Sequence, residues 1–291
     1  MNALLDPESA VLAGVAFAFG LVVGSFLNVV IHRVPRGESV VSPRSRCPDC
    51  GHAIGALENV PIVSWIVLRG RCRGCGARIS LRYPTVEALT GVAFAAIAVS
   101  NGAVPATVAL CVFAALLIAA AGIDFDHQWI PDEVSLGGLV AGLVGSGAVA
   151  WLDGADVRAA LTASAVGAGV GFFSLWSVGF FHARLSVALG RTFPHWPGEG
   201  ESPPSFPSLD WWTWFPGMGF GDVKLAAMIG AFLGPRGVIE AIVLSAVAGL
   251  VLGVAWMAWR RDASAPFGFG PALALGAIAA AVLPSWLSVP W

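Results

Sequence analysis

The chain has 291 residues, 57% of them hydrophobic and 12% charged, with a mean hydropathy of +0.78. That balance excludes an ordinary soluble globule and fits a protein that crosses the membrane several times. A net charge of −2 gives no bulk attraction to nucleic acid, so no nucleic-acid partner is expected.

Spanning the hydrocarbon core takes roughly 20 apolar residues. The first apolar run covers 11–31 and follows an acidic N-terminus (Asp6, Glu8) without a basic stretch. It is too long for a signal sequence and reads as an uncleaved first span. A polar segment, 32–83, follows; it holds nine of the arginines and four of the five cysteines. Further apolar runs cover 84–99, 104–123, 134–152 and 159–181. A connection rich in Pro, Gly and Trp, 190–216, leads to a short run, 223–233, and then to runs at 237–259 and 271–287. The expected fold is an all-α polytopic membrane protein of about eight transmembrane helices with a small zinc-binding cytoplasmic loop domain. Its organisation reads as a first helix (1–31), the loop domain (32–83) and a seven-helix membrane domain (84–291) with an extended 190–216 loop. Arginines mark the cytoplasmic side. The 32–83 loop is therefore inside, as are the ends of the third and fifth runs, the start of the sixth, and Arg260 and Arg261.

Two stretches carry acids at that same face. Asp124 ends the third run, in Ile123-Asp124-Phe125-Asp126-His127, and Asp222 begins the sixth, behind Gly217, Gly219 and Gly221. Acids at the edge of lipid are costly unless used or paired. Two carboxylates sharing a proton and activating one water is the aspartic-protease arrangement. Asp222 stands at a helix N-terminus, which favours its ionised form, and Asp124 at a helix C-terminus, which favours the protonated form. Asp222 is thus expected to be the base and Asp124 the acid. The three glycines, free to take positive φ and lacking Cβ, would let a substrate backbone approach. Asp126 reads as a solvated loop acid, Asp132 as a helix cap, Lys224 as a headgroup or loop contact. Glu87, entering the second run, reads equally as a cap and as a functional acid.

Cys47, Cys50, Cys72 and Cys75 form two Cys-x-x-Cys pairs. Four thiolates at that spacing read as a closed tetrahedral zinc site, structural because no position stays open. Cys111 reads as a plain apolar residue.

At these motifs the chain resembles the type IV prepilin peptidases, the leader peptidase/N-methyltransferase family of GxGD intramembrane aspartic proteases. The similar residues are Gly219-Phe220-Gly221-Asp222 with Lys224, Asp124 with Ile130-Pro131-Asp132, the stretch from Gly24 to Pro35, and that from Glu58 to Trp65. The resemblance implies that Asp124 and Asp222 are catalytic. It also implies a bacterial cytoplasmic-membrane enzyme that cuts the leader of prepilins or pseudopilins on the cytoplasmic side. The same resemblance implies N-methylation of the new N-terminus with S-adenosylmethionine as donor, at a site it does not locate. Glu58, Glu87, Asp126 and Asp222 are the acids expected to receive a basic leader. A proton-coupled transporter using the same aspartates is the alternative reading, and a silent membrane scaffold a third.

Overall fold

The computed structural model describes residues 7–191, 193, 202–260 and 268–283. Arg261 and positions 284–287 of the last apolar run lie outside the described residues, as do 192 and 194–201 of the 190–216 connection. The helices are α1 (Pro7–Arg33), α2 (Val63–Val67), α3 (Arg82–Asn101), α4 (Pro105–His127) and α5 (Asp132–Leu152). They continue with α6 (Val157–Ala188), α7 (Leu209–Thr213), α8 (Phe220–Arg260) and α9 (Gly270–Val282). Six of them, α1, α3, α4, α5, α6 and α8, are long and apolar enough to cross a membrane.

The expected sixth and seventh runs are the two halves of α8. Gly234 leaves the helix (φ 69°, ψ −179°) and Pro235 follows it. Proline removes a donor and clashes with a continuing helix, so the pair ends one helix and starts another. Counting α8 as two, the apolar runs number eight, as the sequence predicts. The 220–233 half is roughly 20 Å long at 1.5 Å per residue, short of the ~30 Å hydrocarbon core.

Ending a helix inside lipid orphans its last carbonyls, and α6 meets that demand. The Ser164 hydroxyl donates to Ala231 O at 2.6 Å. Gly167 and Gly171 let α6 lie directly on the backbone of α8: a Cβ at Gly167 would come 2.7 Å from Gly234 Cα, and one at Gly171 would strike Ala226. Gly142 of α5 packs against Ala231 and Phe232 in the same way. The chain reverses at the break. The start of α8 meets Ile130, just past the end of α4, through Gly221. Near the other end of α8, Trp256 packs edge-on to Phe125, also at the end of α4, at 5.6 Å. Both ends of this helical hairpin therefore return to the level of Asp124.

Candidate active site and metal centre

Asp124 lies in the last turn of α4 and Asp222 in the first turn of α8, and both are buried. The two are close enough for their charges to interact. The intervening chain explains how they meet. Gln128 takes a left-handed conformation (φ 57°, ψ 35°) and its N–H returns to Asp124 O at 2.8 Å, ending α4. Ile130 then tucks under Gly221, where a Cβ would lie 3.2 Å from Ile130 Cβ. Asp132 opens α5 and pairs with Lys224. The 128–132 turn is thus registered on the 219–224 stretch at two points.

Each aspartate accepts one backbone N–H: Asp222 Oδ2 from Gly219 at 3.2 Å, and Asp124 Oδ2 from Gly270 at 2.9 Å. Among the described residues these two bonds treat the pair alike, while their helix ends are opposite. The Gly219–Asp222 bond is the return half of a capping box, a side chain in the first turn satisfying the N–H that precedes it.

Several expectations change. Of the three glycines before Asp222, only Gly217 takes a positive φ (77°); Gly221 is small because Ile130 presses on it, and Gly219 faces open space apart from Asp222 Oδ2. Asp126 is not a loop acid: it lies in α4 and pairs with Arg82, which also donates to Gly122 O at 3.2 Å. Asp132 does not cap α5, because Pro131 is the N-cap and no side chain bonds there. Lys224 makes a protein contact, with Asp132 at the end of the 128–132 turn. Glu58 is also committed within its loop. Its carboxylate accepts from Gly55 N at 3.1 Å, meets His52 Nε2 at 3.0 Å and lies 3.5 Å from Arg73 Nη1. The Gly55 N–H first, then His52, hold it below the usual carboxylate range.

Sequence reading missed Gly268 and Gly270. A Cβ at Gly270 would come 2.7 Å from Asp124 Oδ2, and one at Gly268 would strike the same carboxylate. The available signal was a second Gly-Phe-Gly, Gly268-Phe269-Gly270, matching Gly219-Phe220-Gly221.

The four predicted cysteines come together. Their sulfurs all lie within 4.8 Å of one another, with Cys47–Cys75 and Cys50–Cys72 each at 3.9 Å. Metal–sulfur bonds of 2.3 Å in a tetrahedron put sulfurs about 3.8 Å apart, so this cage fits a metal ion. The two knuckles repeat one geometry. Cys47 N bonds His52 O at 2.9 Å and Cys72 N bonds Ala77 O at 2.8 Å, with Gly51 (φ 72°) and Gly76 (φ 76°) turning the chain after the second cysteine of each. Backbone N–H groups of Cys75 and Gly74 pull the Cys72 thiol down to about 7, whereas Cys75 is pushed up to about 12 and Cys50 is raised, as four crowded sulfurs share few protons.

The sequence is similar to known proteins over most of its length. Residues 18–101 match the bacterial peptidase A24 N-terminal domain, and residues 111–254 match the type IV leader peptidase family. A prepilin leader peptidase/N-methyltransferase of Aeromonas hydrophila is 34% identical over 304 residues, covering 94% of this chain and 89% of that protein. A Myxococcus xanthus protein of the same description is 39% identical over 240 residues; this chain aligns with 82% of its own length and spans 61% of that relative's. A type 4 prepilin-like proteins leader peptide-processing enzyme of Escherichia coli is 34% identical over 278 residues, 89% of this chain and 90% of that one. No solved structure matches the chain significantly. Asp124 and Asp222 both fall within the second family domain and the cysteine cage within the first; with a paired aspartate site, a cysteine cage and relatives aligned over most of both chains, the chain belongs to the type IV leader peptidase family.

Proposed function

We propose that this protein is a prepilin leader peptidase in which Asp124 and Asp222 are the catalytic pair, and that it also N-methylates the product. The observation that carries the reading is a pair of buried aspartates at opposite helix ends, close enough for their charges to interact, with the 128–132 turn registered on the 219–224 stretch. A water between them gives a proton to ionised Asp222 and attacks the scissile carbonyl, while protonated Asp124 donates to the carbonyl oxygen. The helix ends bias this division by about 0.3–1 kcal/mol each. Asp222 then gives its proton to the leaving nitrogen and Asp124 recovers its own from the former carbonyl oxygen, so that the C–N bond breaks and the leader and a new N-terminus are released.

The substrates are prepilins or pseudopilins, whose own apolar helix lies in the bilayer with the cleavage junction at the aspartates. The enzyme is a multi-pass protein of the bacterial cytoplasmic membrane, with the site on the cytoplasmic side, the side of the arginine-rich 32–83 loop. In domain terms, 1–31 is a first helix, 32–83 a zinc-folded loop domain and 84–291 the peptidase domain. Cys47, Cys50, Cys72 and Cys75 hold a zinc ion that supplies folding energy to a loop too small to have a core. Gly217 and Gly219 line the substrate's approach, and S-adenosylmethionine is the methyl donor. Transport by the same aspartates gains no support from the relatives.

The test is cleavage of a prepilin by the purified, lipid-reconstituted protein. Asp124→Asn and Asp222→Asn should each abolish cutting, and the double variant should be no worse than either single. If either single variant cuts as fast as wild type, the assignment is wrong.

A further inference from the structure

Glu87 is the one buried carboxylate among the described residues that neither the aspartate pair nor an ion pair accounts for. It sits in the second turn of α3, 7% exposed, where α1 crosses so closely that a Cβ at Gly24 would lie 2.7 Å from Glu87 Cα. It is not a cap: Leu81 is the N-cap of α3 and no side chain bonds there. Its Oε2 accepts the N–H of Ile62 at 2.7 Å, and the Ser25 hydroxyl reaches the carboxylate as well. Anchoring one N–H needs only a neutral acceptor, and burying a carboxylate for that purpose costs several kcal/mol. Ile62 is itself held at φ 60°, ψ −50°, a region that β-branched residues avoid and that strained functional sites tolerate. One turn along α1, the Asn28 amide donates to Gly24 O and Tyr83 O, which leaves its carbonyl oxygen as an acceptor. No ion pair among the described residues neutralises Glu87, and a buried carboxylate without a cation suits an ammonium group.

We propose that Glu87 receives the new N-terminal ammonium of the cleaved product and takes its proton for methyl transfer. The proposal rests on the N-methyltransferase reading above. An α-ammonium has a pKa of about 7.7–8.0, so at neutral pH it is mostly protonated and has no free electron pair. Glu87 takes one proton. The freed nitrogen pair forms the N–C bond to the methyl group of the sulfonium donor, the C–S bond breaks, and its electrons stay on sulfur as a neutral thioether. The product is a secondary ammonium, and Glu87 returns its proton to water. The other candidate acids of this face are committed: Glu58 to His52 and Arg73, and Asp126 to Arg82. The transfer from one reaction to the next is short. Ile31, one turn beyond Asn28, packs on Gly122, two residues before Asp124. Helix rise and interaxial spacing put the two sites roughly 10–15 Å apart.

The test uses the full-length reconstituted protein and Glu87→Gln, which keeps an acceptor for Ile62 N–H. The thermal unfolding midpoint in detergent should match wild type and report an intact fold, and cleavage should fall far less than methylation. Retention of labelled S-adenosylmethionine should also be unchanged. Methyl incorporation should fall by about 100-fold or more, the usual worth of a positioned base. With no donor present, affinity for the cleaved, unmethylated peptide should drop by about tenfold or more, because a charge-assisted hydrogen bond is lost. Equal losses of cleavage and methylation would make Glu87 a structural residue and overturn the proposal. Unchanged methylation and peptide affinity would overturn it too. A wild-type protein that cleaves but never methylates would instead overturn the methyltransferase reading, and the proposal with it.

Discussion

The backbone N–H of Gly270 meets Asp124 Oδ2 at 2.9 Å, joining residues 146 positions apart. This bond makes α9 part of the candidate site, although α9 carries no acid in its described residues. A hydrogen bond to a neutral carboxyl contributes about 0.5–1.5 kcal/mol, and leaving a buried partner unsatisfied costs about 1–3 kcal/mol. Gly270→Ala would place a Cβ 2.7 Å from the same oxygen and move the carboxylate. We expect Gly270→Ala to lower prepilin cleavage by about 10–100-fold, with thermal unfolding little changed. Wild-type cleavage by this variant would remove α9 from the site.

Gly167 and Gly169 lie on one helix and differ in what surrounds them. Gly167 meets the Gly230 carbonyl and Gly234 of α8, whereas nothing lies within 4 Å of a Cβ at Gly169. Overpacking of this kind costs about 1–3 kcal/mol. Gly167→Ala should lower the unfolding midpoint in detergent, and Gly169→Ala should not. Equal behaviour of the two would contradict the crossing described here.

Removal of the metal should act on the loop first. Chelation, or Cys72→Ser, should expose 47–75 to limited proteolysis while the helical bundle keeps its far-ultraviolet circular dichroism. Structural metal binding is itself folding energy for such a loop. A loop that stays protease-resistant after verified metal loss would argue against that role.

Lys224 and Asp132 join the first turns of α8 and α5. Asp132 is largely exposed, so the pair contributes about 0.2–1 kcal/mol. Lys224→Met should therefore cost little stability and should reduce cleavage by less than tenfold. Exchanging the two charges (Lys224→Asp with Asp132→Lys) should recover part of that loss. A loss of several hundredfold in Lys224→Met would show that the lysine touches substrate.

Much of this protein was written locally. Apolar runs set eight helical segments because a bilayer demands about 20 residues per crossing. The cysteine cage was legible because its ligands come as two short repeats, and Asp124 and Asp222 stood out because acids beside apolar runs are rare. Tertiary structure decided the rest. Asp126 and Asp132 were misread, since a surface charge and a paired charge look the same until the partner helix is placed. Gly268 and Gly270 carry no charge to mark them, and their role exists only where α9 meets α4. The runs at 223–233 and 237–259 implied a break between them, but only the close approach of α6 shows how a helix can stop inside lipid: Gly167 gives it room and Ser164 takes an open carbonyl. Hydropathy and ligand spacing act within one segment and survive in the sequence. Backbone contacts between segments distant along the chain depend on packing, which the bundle alone supplies.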